Sequence, residues 1–171
     1  MAPSTPDPRE GNAATADTVA FWATVALPVL GTVLKVVNGG WVLLALLLWS
    51  PLIVIIWGTG LAIFRGTLGP RSDLRALLGR VPTHHRVLAW VWAVAMFLPG
   101  FVLLDGGDAP PLRAPLLTLL GLDQPDWYWT FQDVVMLTVA VLAVGAPLAA
   151  WLLARHARQR WEDETVTGAS R

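Results

Sequence analysis

The sequence predicts an all-α polytopic membrane protein, a four-helix transmembrane bundle with both termini in the cytoplasm. Three observations carry that expectation: the composition, the length of the apolar runs and the placement of the arginines. Of 171 residues, 55% are hydrophobic and only 14% charged. Soluble domains usually carry about 25% charged residues, so a soluble globular enzyme and a disordered chain are both excluded. Twelve basic side chains balance twelve acidic ones, which leaves no overall field for nucleic acid. Cysteine is absent, so disulfides, thiolate metal sites and Cys nucleophiles are excluded as well.

A bilayer core about 30 Å thick requires roughly 20 mostly apolar residues per helix. Four stretches meet that length: 18–37, 41–64, 87–104 and 134–154. Their apolar character runs around all sides, whereas barrel strands would alternate over about ten residues. Lys35 is the one ionisable residue within them, at the end of the first. Only Asn38, Gly39 and Gly40 separate the first two runs, which makes them an antiparallel hairpin. Residues 1–17 are polar and rich in Pro and Ala, and read as a disordered cytoplasmic tail. Residues 155–171 form a second cytoplasmic tail.

Orientation follows from the basic residues. The loop 65–86 holds Arg65, Arg71, Arg75, Arg80 and Arg86, and the two tails add Arg9, Arg155, Arg158, Arg160 and Arg171. The outer loop 105–133 has Arg113 beside Asp105, Asp108, Asp123, Asp126 and Asp133. The positive-inside rule then puts the loop 65–86 in the cytoplasm. Trp41 and Trp57, near the two ends of the second span, suit rings at headgroup depth.

Each span contains one proline: Pro28, Pro51, Pro99 and Pro147. Each frees the carbonyl four residues earlier, on Thr24, Leu47, Ala95 and Ala143. Pro28 and Pro51 form the candidate broken-helix site, where such carbonyls could line a path for solute. Packing kinks are the ordinary alternative. Gly145 and Ala149 form the candidate helix-packing face, with Ala146, Ala150 and Ala154 on an adjacent stripe.

Within the loop 65–86, Ser72 is an N-cap, Asp73 suits a first turn, and Gly79 or Pro82 ends the helix. Leu74, Leu77 and Leu78 share one face. Arg71, Arg75 and Arg80 beside them are the candidate contacts to anionic lipid. His84, His85 and His156 lie at span ends, near Glu162, Asp163 and Glu164, but adjacent histidines diverge on a helix. No metal site and no cofactor is expected from them.

The outer loop carries an apolar segment, 112–122, too short to span and suited to a re-entrant or interfacial helix. Trp127, Tyr128, Trp129 and Phe131 follow it and form the candidate surface for a partner or ligand, or else an aromatic belt. The expected partners are the bilayer and either other membrane subunits or further copies of the chain. The favoured function is a non-catalytic accessory or assembly subunit of a complex in the cytoplasmic membrane. The rivals are a small oligomeric transporter and a lipid-acting enzyme using Asp105, Asp108 or Asp123.

Overall fold

The computed structural model describes residues 8–38, 41–69, 71–104, 114–123 and 125–168. Six helices follow in order: α1 Pro8–Asn38, α2 Trp41–Leu68, α3 Asp73–Leu78, α4 Thr83–Val102, α5 Pro115–Leu120 and α6 Trp127–Gly168. Among the described residues there is no strand. Four helices, α1, α2, α4 and α6, are long and apolar enough to cross a membrane. Gly39 and Gly40 of the expected hairpin turn lie outside the described residues.

The distribution of side chains fits a lipid-facing bundle. Leu48 and Leu137 are 78% and 70% exposed, while the core is rich in Ala20, Ala89, Ala93, Ala95, Ala146 and Ala150. In lipid the tails are as apolar as leucine, so close packing of small residues drives helix association. The helices form a ring in which α4 packs on α1 and α6, and α2 packs on both of those. Thr24 and Trp57, hydrogen-bonded across α1 and α2, lie at similar sequence distances from the connecting turn, as antiparallel neighbours must.

Helices α1 and α4 run parallel, in one register. Asp17 meets Arg86 near one end, Gly31 meets Gly100 further along, and Lys35 meets the Leu103 carbonyl at the other. The sequence offset is nearly constant along these three contacts. A Cβ added at Gly100 would fall on the Gly31 carbonyl oxygen and 2.7 Å from Gly31 Cα. Glycine is required at that crossing because backbone meets backbone.

Two buried clusters stack along the bundle. The first joins Phe64, Leu68, Val81, Trp92 and Ala150, at the end that carries Asp17 and α3 (the arginine end). The second joins Val102, Leu104, Ala114, Leu117 and Tyr128, at the opposite, aromatic end. α6 has 42 residues and so extends about 63 Å. Residues 158–165 are all exposed, at the arginine end.

Several expected boundaries move. The disordered tail over 1–17 does not hold for 8–17, which is helical from Pro8, a residue preorganised to open a helix. α4 starts at Thr83 rather than 87. α6 absorbs Trp127–Asp133 from the expected outer loop and most of the expected 155–171 tail. Polar composition marked these stretches as non-spanning, but it does not prevent a helix from continuing past an apolar run.

Candidate functional site

The aromatic end is built around the exit of α4. Its last carbonyls have no acceptor role within the helix, so they need partners from elsewhere. The Tyr128 hydroxyl donates to the Val102 carbonyl at 2.7 Å, and Lys35 Nζ donates to the Leu103 carbonyl at 2.8 Å. The Leu104 N–H in turn donates to Gln132 Oε1 at 2.8 Å. Side chains from α1 and α6 thus staple one turn of backbone. Lys35 and Tyr128 are both buried.

This staple divides the four predicted aromatics. Tyr128 is not a surface residue; burial of its ring and the bond to Val102 make it the anchor of α6. Trp127 and Trp129 are 55% and 47% exposed, and Phe131 is exposed beside them. Trp127 meets Phe131 edge-on at 5.9 Å. α5 inserts Leu117 into the same buried cluster and leaves Leu119, Leu120 and Leu122 outside. It is a short apolar helix, as expected for a re-entrant or interfacial segment, and Gly121 closes it with φ 64°. Asp123, Asp126 and Asp133 are exposed around this surface. Of the residues of the lipid-acting reading, Asp123 is exposed, while Asp105, Asp108 and the neighbouring Arg113 lie outside the described residues.

Between the two clusters lies a cavity of about 410 Å³. Pro28, Trp57, Met96, Pro99 and Met136 line it, with Lys35 at its aromatic end. Pro28 is buried there, but Pro51 is exposed and lines a different side of α2. The two prolines therefore do not form one site.

The carbonyls freed by Pro28, Pro51 and Pro147 are also taken. The Trp57 indole N–H donates to the Thr24 carbonyl at 3.3 Å, and Trp92 donates to the Ala143 carbonyl at 3.0 Å. Ser50 Oγ donates to the Leu47 carbonyl at 2.8 Å. Three proline breaks have thus become anchoring points, two of them between helices. Trp57, expected at headgroup depth, is half-buried and packs against the first cluster. The missing signal was the pairing itself: an indole donor on one span and a freed carbonyl on another.

A double-mutant cycle tests this account. Trp92→Phe leaves the Ala143 carbonyl without its donor, and Pro147→Ala restores an N–H four residues on to satisfy it. The cost of Trp92→Phe should fall by about 1 kcal/mol in the Pro147→Ala background, read from unfolding in detergent. Strict additivity would contradict it.

The predicted packing face is displaced by one residue. A Cβ at Gly145 would meet nothing within 4 Å, and Ala149 is half-buried. Ala143, Ala146, Ala150 and Ala154 turn inward instead. Gly60 on α2 makes room for the Trp92 indole of α4, since a Cβ there would lie 2.7 Å from Trp92 Cε2.

At the arginine end, α3 forms as expected: Ser72 Oγ accepts from the Arg75 N–H at 3.3 Å, and Gly79 closes the helix with φ 69°. Its apolar face is divided: Leu74 is buried in the bundle, Leu77 is half-buried and Leu78 is exposed. Arg75 is not an open lipid contact. It pairs with Asp17 at 2.6 Å, and Arg86 joins the same carboxylate at 3.1 Å. Arg71 and Arg80 remain exposed. Among the described residues, no group of three or more His, Asp or Glu is placed to hold a metal ion.

Compared with known proteins, the chain matches no family model, no curated protein and no solved structure.

Proposed function

We propose that this chain works by association, as an accessory or assembly subunit of a larger membrane complex, with the aromatic end as its contact surface. The observation that carries this reading is the Tyr128 anchor. A ring buried and bonded to Val102 fixes the first turn of α6, so Trp127 and Trp129 project from a rigid element. Large aromatic side chains held in place lose little entropy on contact, which is the property of interface hot spots. The exposed carboxylates of Asp123, Asp126 and Asp133 make an acidic rim. That rim would be repelled by anionic headgroups and complements a basic partner surface.

The test is affinity purification in mild detergent, sized on a native gel, with the recovered proteins identified by mass spectrometry. A second membrane protein should appear in stoichiometric amount and be lost with Trp127→Ala/Trp129→Ala. Recovery of a lone oligomer would overturn the reading. It would favour a second one, carriage of an apolar solute, which has the cavity beside Pro28 and Pro99 in its support.

The cytoplasmic membrane, with both termini inside, completes the proposal, supported by the arginines of the loop 65–86 and the terminal segments. The chain has no cysteine. Asp126→Cys should react with an impermeant thiol reagent on intact cells, and Ala76→Cys should react only after lysis. The opposite pattern reverses the orientation.

A further inference from the structure

We infer that the groove between α2 and α6 binds one anionic phospholipid, with its phosphate on Arg155 and Arg158 and an acyl chain along Ile63 and Trp151. Two adjoining spaces of about 510 Å³ each run between these helices and share Thr59, Ile63 and Trp151. The deeper one is lined by Ile55, Ile56, Val144 and Leu148, with no charged side chain. The shallower one opens at the arginine end on Arg155 and Arg158. Charge at one end only and a long apolar slot behind it fit an amphiphile.

The dimensions agree with a lipid of one leaflet. From Ile55 to Thr67 the groove follows α2 for about 18 Å at 1.5 Å per residue. Half of a bilayer core is about 15 Å. Arg155 lies over the Trp151 ring at 5.5 Å, which places its guanidinium where the apolar slot ends. Guanidinium forks suit phosphate oxygens, and basic pockets between spans are a recurrent headgroup site. Gly66 lines the mouth, where a Cβ would meet nothing within 4 Å. The site is distinct from Arg71 and Arg80, which lie on either side of α3.

The experiment is native mass spectrometry of the full chain with equal amounts of dioleoyl phosphatidylglycerol and phosphatidylcholine. The bound phosphatidylglycerol should exceed phosphatidylcholine about thirtyfold, from two arginines near one headgroup. Arg155→Gln/Arg158→Gln should remove that preference, while Arg71→Gln/Arg80→Gln keeps it. Gly66→Leu, which places a branched side chain at the mouth of the slot, should reduce binding of both lipids. Soluble glycerophosphoglycerol in excess should displace neither lipid. A preference that survives Arg155→Gln/Arg158→Gln, or vanishes equally with Arg71→Gln/Arg80→Gln, would overturn the site. So would displacement by the chainless headgroup, or undiminished binding in Gly66→Leu.

Discussion

Gly100→Leu should prevent α1 and α4 from closing, with a loss of roughly 3 kcal/mol or more or outright failure to assemble. The reason is geometric. The atoms a side chain at Gly100 would strike belong to the Gly31 backbone, which has no rotamer to move away. Gly31 is bound in the same way, because its Cβ would lie 2.8 Å from the Phe97 carbonyl oxygen. The whole parallel register of α1 on α4 rests on that approach. Gly100→Ala should be graded between wild type and Gly100→Leu. Gly145→Leu adds the same side chain where nothing lies within 4 Å, and should stay within about 0.5 kcal/mol of wild type. Thermal unfolding in a single detergent compares the three. Equal damage from Gly145→Leu and Gly100→Leu would return the packing face to Gly145 and Ala149.

That comparison shows what the sequence could and could not reveal. The positions of the four long helices were legible because an apolar run of spanning length has few other uses. α3 was legible residue by residue, since Ser72 and Gly79 are chemically suited to the two ends they occupy. The inward faces were not. In a soluble helix the core face stands out against a polar one, but here lipid and core are both apolar and the periodic signal disappears. Small size favours Gly145 over Ala146 in the sequence, and only the packing reverses that choice. Gly31 and Gly100 carried no local sign of their meeting, because they lie on different spans.

The candidate site shows the same division. Four aromatics close together in sequence were recognisable as a group, but the inward turn of Tyr128 depends on a carbonyl at Val102 that belongs to another helix. Proline positions predicted which carbonyls are freed. Their capture by Trp57 and Trp92 required knowing which spans are neighbours. Composition even misled at Asp17, where a polar stretch hid the most deeply held carboxylate among the described residues.

Asp17 is where the largest electrostatic effect is expected. Its side chain is 4% exposed and sits between Arg75 and Arg86, whose side chains keep 27% and 25% exposure. Arg75→Gln/Arg86→Gln leaves a buried carboxylate without its cations, a change that typically costs about 3–5 kcal/mol. Asp17→Asn should cost less, about 2 kcal/mol, because each freed guanidinium can still reach water. The decisive variant combines all three changes. Asp17→Asn added to Arg75→Gln/Arg86→Gln removes the stranded charge and should recover part of the lost stability. A purely steric role for these side chains would instead make the triple variant the least stable. Such a recovery would show that α1, α3 and α4 are tied by charge at one point. Gly31 and Gly100 then set the spacing between α1 and α4, and Lys35 closes their far end.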